Sequence, residues 1–190
     1  MKKIIALALA LVMALGLVAC GSTGGSSNGG EKEAVPANAL EILSTVWSSY
    51  GEDETFFVMG GDYTNPVDNA PGAFSLEDGE TVTAMLLVPT EQLANIDDAA
   101  SIMHAMMQNN FTCGAFHVTG DAAAFADAMN EAISTNQWMC GMPEKMLVAV
   151  VGGEYVVAAY GLADVMDTFQ AKLTAAYPKA DLKYNAAIAG

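Results

Sequence analysis

Apolar positions recur along this chain with two periods. In "ANALEILSTVWSSYG", Leu40, Leu43, Val46, Trp47 and Tyr50 keep helical spacing, and Gly51 supplies a stop. "DAAAFADAMNEAISTNQW" sets Phe125, Ala128, Met129, Ala132 and Ile133 in one stripe behind a capping Asp121. In "LADVMDTFQAKLTAAYP", Leu162, Val165, Met166, Phe169, Leu173 and Ala176 share one face. "DDAASIMHAMMQNN" predicts a further helix, capped by Asp97 or Asp98 and ended by Asn109 and Asn110.

Strand-like stretches alternate with these. "ETFFVMGG" predicts a short strand over Thr55 to Met59, and "TCGAFHVTG" predicts another. "KMLVAVVGGEYVVAAYG" reads as two strands joined by a two-residue Gly152-Gly153 hairpin turn. "TVTAMLLVP" fits a strand or a helix broken by Pro89, because short apolar runs do not separate the two. "TEQLANI" reads as a helical turn with Thr90 as cap, and "GDYTNPVDNAPGAFSLEDGE" as loop with a helical turn near Ser75.

The C-terminal half thus runs strand, helix, strand, strand, helix. Two amphipathic helices need an apolar sheet to cover. The expected fold is α+β, with helices packed on a mixed, mainly antiparallel sheet. If the strands of Phe116 and Val148 are neighbours, the crossover between them makes that pair parallel.

The first 33 residues follow another pattern. "MKK" and the sixteen-residue apolar run "IIALALALVMALGLVA" read as a secretory signal, too short for a comfortable membrane span. The junction "LVAC-G" resembles a bacterial lipoprotein signal, which implies that Cys20 becomes the lipid-bearing first residue of the mature chain. "GSTGGSSNGG" has no apolar residue and reads as a flexible tether. The expected organisation is a signal peptide over 1–19, a tether over 20–33 and a single globular domain over 34–190. This puts the domain on the outer face of the cell membrane.

The chain has 7 basic and 22 acidic residues and no arginine. Without Lys2 and Lys3 the balance is 5 against 22, or −17. Nucleic acid is excluded as a partner, since phosphate binding needs clustered basic side chains.

The blocks "MHAMMQNNFTCGAFHV", "NQWMCGMPEKMLVAVVGGEYVVAAYG" and "FQAKLTAAYP" resemble an uncharacterised family of lipoproteins from Gram-positive anaerobes. That likeness implies a domain of unknown function on a lipid anchor and carries no site residues with it.

Candidate chemistry centres on sulfur. With Cys20 lipidated, Cys113 and Cys140 remain, either bridged in a disulfide or held as free thiols packed like small apolar residues. In "QWMCGMP" a redox centre would need a second cysteine where Pro143 stands and a helix afterwards, and neither is present. Cys113, His117, Cys140 and His104 have the chemistry of a zinc set. However, Cys113 and His117 lie four apart on a strand, about 13 Å, which is too far for one ion. Met103, Met106, Met107, Met139, Met142 and Met146 read as adaptable core filler in preference to Cu(I) ligands. The acidic loops "GEDET", "GDYTNPVDN" and "SLEDGE" read as solvated and fit no calcium loop. No cofactor and no metal is expected.

The reading favoured by the sequence is a non-enzymatic, lipid-anchored binding module for an unknown protein or envelope ligand. Its candidate surfaces are Asp62 to Pro71 and Trp138 to Pro143, with Asp62, Trp138, Met139 and Pro143 in front. The alternative is a thiol- or metal-dependent accessory enzyme of the envelope centred on Cys140.

Overall fold

A computed structural model describes residues 35–189, so the predicted signal, Cys20 and the tether lie outside the described residues. Among the described residues four helices, α1 (Ala39–Ser48), α2 (Gly79–Leu86), α3 (Ala122–Thr135) and α4 (Ala163–Ala176), accompany eight strands. The strands are β1 (Val58–Gly60), β2 (Val67–Asp68), β3 (Gly72–Ala73), β4 (Ile96–His104), β5 (Phe111–Val118), β6 (Lys145–Val151), β7 (Tyr155–Gly161) and β8 (Asp181–Ala187). The sheet order is β2-β1-β4-β5-β7-β6-β8, with β3 also paired to β4. Every pairing is antiparallel. The fold is α+β, as its sequence pattern indicates.

Helices cover both faces of this sheet. On one face, α2 and α3 bury Val82, Met85, Phe125 and Met129 against Phe116, Val148, Val156 and Tyr160. On the other, α1 and α4 bury Ile42, Leu43, Met166 and Phe169 against Phe111, Ala115, Leu147 and Val157. A strand enclosed on both sides has no polar face, so β7 is buried at every position and β6 nearly so. The β6–β7 turn uses Gly152, Gly153 and Glu154 between the paired Val151 and Tyr155, one residue more than the two-glycine turn expected. Both glycines take positive φ, which suits them to the turn.

The helix termini follow local chemistry. Asn38 caps α1 by accepting from Glu41 N, and Asp78 and Asp121 cap α2 and α3 in the same way. Leu162 has no capping side chain, and the carboxylate of Glu144 accepts instead from Ala163 N. α2 resolves the ambiguous "TVTAMLLVP" as a helix, which ends where Leu87 turns left-handed at φ 56. "TEQLANI" forms a 3-10 turn over Thr90–Asn95 preceded by Pro89 and not capped by Thr90.

Two expectations are corrected, and the condition of a third is not met. "DDAASIMHAMMQNN" is not a helix: Ile96–His104 is β4, followed by a 3-10 turn at Gln108–Asn110. Ala99 to Met103 are all buried because both sheet faces are covered, so the strand shows no alternation and imitates a helical period. Ser101 is tolerated there because its hydroxyl donates to Gly61 O at 2.8 Å. The strands of Phe116 and Val148 are not neighbours, so the condition for a parallel pair is not met: β7 lies between them, antiparallel to both, and the two run the same way without pairing. Finally, the segment near Ser75 carries no helical turn; Ser75 N donates to Asp62 Oδ2 at 3.0 Å.

β1 and β3 share one side of β4, which brings Gly60 and Gly72 together. A Cβ at position 60 would stand 2.2 Å from Gly72 N, so only glycine fits. Gly60→Ala is expected to cost about 2 kcal/mol or more. Gly120→Ala, where a Cβ meets nothing within 4 Å, stays within about 0.5 kcal/mol of the parent. Urea unfolding midpoints of the two variants check this.

Candidate functional site

The sheet has two unlike ends. At one, Val35 and Pro36 lie beside the β6–β7 turn: a Cβ on Gly152 would stand 3.4 Å from each. Ile96 and Val118 pair nearby, and Ala39 N donates to Asp98. His117 bonds Asp97 here and rests against Tyr155, with ring centres 4.9 Å apart. At the opposite end, Phe111 and Lys145 flank Gly161, and the loops after β4 and α3 meet.

This second end carries a cleft of about 220 Å³. Its wall is largely apolar, from Met59, Tyr63, Pro66, Met85 and Met103, with His104, Gln108 and Asp62 as the polar members. His104 sits at the last position of β4. Its Nδ1 accepts from Met106 N at 3.1 Å and from Met107 N at 3.3 Å. In the neutral ring the proton is therefore on Nε2, and that N–H is the donor left for another group. Stacking on Phe56, with ring centres 5.6 Å apart and planes 20° apart, fixes the imidazole plane.

Asp62 is buried and organises the loop on the cleft's rim. Its Oδ1 accepts from Thr64 N at 2.7 Å, Thr64 Oγ1 at 2.6 Å and Asn65 N at 3.0 Å, while Oδ2 accepts from Ser75 N. The Thr64 hydroxyl, then these backbone donors, hold its carboxyl down at about 2, against the opposing effect of burial. Asp62 thus builds the rim and spends its acceptors internally. The other acidic loops behave alike: Asp78 caps α2, and Glu54 accepts from Gly51 N and pairs with Lys172.

The α3–β6 loop lies beside the same end. Asn109 Nδ2 donates to both Met139 O and Gly141 O, each at 2.8 Å. This clamp closes the backbone around Cys140, which takes a left-handed φ of 61, followed by Gly141 at 117. Trp138 is half-buried against Tyr160, with ring centres 4.7 Å apart and its indole N–H buried without a partner. Met139 is exposed, and Pro143 is buried. Two of the four candidate surface residues are thus buried. Asp62 and Pro143 point inward, because one closes an internal turn and the other starts the approach to β6.

The sulfurs separate as well. Cys113 and Cys140 are free thiols, so the bridged alternative is not what the structure holds. Cys113 faces the core under α1 and α4, where burial pushes its thiol well above the ordinary range, while Cys140 is exposed on the loop. The zinc set is scattered: His117 and His104 occupy opposite ends of the sheet, and Cys113 is interior. Among the described residues no three histidine, cysteine, aspartate or glutamate side chains converge. Nor does an imidazole or carboxylate hydrogen-bond to Cys140 among them. The methionines divide. Met103 and Met146 fill the core, but Met106, Met107, Met139 and Met142 are exposed.

His104, Tyr63 and Gln108 were not legible in the sequence as one site. The single local signal was the Asp62-Tyr63-Thr64-Asn65 turn.

Two outcomes are expected. Asp62→Ala leaves three backbone donors and a hydroxyl without their acceptor and costs about 1–3 kcal/mol. The folded value of Asp62 lies below its unfolded 3.8, so its stabilisation is present above 3.8 and fades as the pH falls through about 2. The variant should lose stability more shallowly in that window, measured by denaturant unfolding at each pH. In thiol titration, Cys140 should react in the native chain and Cys113 only after unfolding. Comparison with family models, curated proteins and solved structures finds no match to this chain.

Proposed function

We propose that this chain is a lipid-anchored binding module of the cell envelope. Acyl chains on Cys20 hold it at the outer membrane face, and it engages a protein or envelope ligand through the sheet end that bears the cleft. The observation carrying this reading is the opposition of the two ends. The described chain begins beside the β6–β7 turn, and β7 alone separates that turn from the cleft end by seven residues, about 20 Å. Phe57, Tyr63, Met106, Met107, Met139 and Met142, most of the exposed large apolar side chains, gather at the remote end. Clustered exposed apolar surface suits contact with a partner. The net charge, −15 for the full chain and −17 without Lys2 and Lys3, disfavours nucleic acid and direct adhesion to anionic lipid, so the bilayer contact is assigned to the anchor. Among the described residues no helix is long and apolar enough to cross a membrane.

Cys20→Ser should move the protein from the membrane fraction to the soluble or secreted fraction and abolish the acyl mass on the N-terminal peptide. On intact cells, a photo-crosslinking residue at Met139 or Tyr63 should give a discrete adduct that the same residue at Glu154, in the β6–β7 turn, does not give. Equal labelling from all three positions, or none from any, would overturn the assignment of the binding end.

A further inference from the structure

We propose that the loops after β4 and after α3 form a binding site for monovalent copper, with Cys140 Sγ and Met107 Sδ as its central ligands. The thioethers of Met106, Met139 and Met142 complete or exchange in the remaining positions.

The two loops are far apart in sequence and adjacent in space. Asn109 ties them by donating to Met139 O and Gly141 O, and a Cβ on Gly141 would stand 3.7 Å from Met107 Sδ. Five soft sulfur donors therefore lie on two joined loops. Packing does not account for them. Buried methionines such as Met103, Met129, Met146 and Met166 serve the core in the ordinary way, whereas Met106 and Met139 are 78% and 79% exposed. Met107 and Met142 are also exposed, as is Cys140. Each thioether sits on a flexible unbranched side chain, which widens the range of positions its sulfur reaches around the two joined loops.

The chemistry of the set selects the ion. Thiolate with thioethers is a soft donor set and favours Cu(I), whereas carboxylate and carbonyl sets suit calcium and magnesium. Zinc sites draw on cysteine, histidine and carboxylate and do not use thioethers. No carboxylate is needed at the loops, and the acidic surface of the chain attracts any cation. Binding replaces the S–H bond of Cys140 by a Cu–S bond, releases one proton to solvent, and leaves the copper as Cu(I). This site lies beside the His104 cleft at the same open end of the sheet, where His104 holds the backbone of Met106 and Met107, and it does not depend on lipid anchoring.

The test uses the full chain in detergent with Cys20→Ser, so that Cys113 and Cys140 are the only thiols. Ag(I), a redox-inert probe of the same donor preference, is titrated into protein carrying ¹³C-methyl methionine. Cu(I) is then titrated without oxygen in competition with bicinchoninate. One equivalent should shift the methyl signals of Met107 and at least one of Met106, Met139 and Met142, and leave those of Met129 and Met166 in place. Cys140→Ser and Met107→Leu should each weaken Cu(I) binding by about tenfold or more. Cys113→Ser should leave it unchanged, and the amide spectra of the exposed-loop variants should report an intact fold. Zn(II) in excess should not displace the probe. The proposal is overturned if Cu(I) is not retained against bicinchoninate. It is also overturned if no exposed methionine methyl responds while the Cys140 signals do, which would mark a reactive thiol alone, or if Cys140→Ser binds as tightly as the parent.

Discussion

The architecture depends on enclosing β7 on both faces. Tyr155 to Gly161 have no solvent side, so helices must lie above and below the strand, and its neighbours β5 and β6 must supply every backbone partner it needs. Two layers of helices on an antiparallel sheet satisfy this. α3 connects β5 to β6 across one face, and α4 connects β7 to β8 across the other. Phe116 packs with Phe125 on the first face and Phe111 with Phe169 on the second, so each helix is held by an aromatic pair from the same strand, β5. With the sheet sealed this way, only its two ends and its edges are open to other molecules.

The sequence carried much of this fold and concealed particular parts. α1, α3 and α4 were legible because each shows one apolar stripe to one face, and α3 has an unambiguous cap in Asp121. β6 and β7 were legible from their β-branched runs and the intervening glycines. β4 was misread because covering both faces removes the alternation that identifies a strand, and Ala99, Ala100 and Ala105 are equally at home in a helix. β8 was not identified at all. It is an edge strand whose residues are exposed or half-buried, and Lys183 pairs with Asp181 along it. Such a polar edge resists pairing with other chains but gives little pattern to read.

The site was less legible than the fold for a physical reason. Asp62 comes from a different segment than His104 and Gln108, and the pairing of β1 and β3 with β4 brings it to their rim. That pairing rests on the close approach of Gly60 and Gly72, which nothing local announces. Asp62, expected at a binding surface, faces its own loop, and its carboxylate serves Thr64, Asn65 and Ser75. The three remaining surface candidates split for a similar reason. Trp138 and Pro143 close the core, and the exposure they were expected to share belongs to Met139 alone.

The identity of the four exposed methionines at the open end is not dictated by the fold around them. Asn109 binds the carbonyls of positions 139 and 141, groups that any residue there would offer. His104 likewise accepts from the backbone N–H groups of positions 106 and 107. The loop conformations are therefore specified by main-chain acceptors and donors, and polar side chains at 106, 107, 139 and 142 would satisfy them equally. Leaving a methionine side chain in water forgoes about 1.5–3 kcal/mol that burial would supply. Since neither turn geometry nor core packing requires thioethers at these positions, their chemistry becomes useful only when something outside the chain meets them. On the proposed reading, the open end, and not the sealed faces of the sheet, is where contact with another molecule would fall.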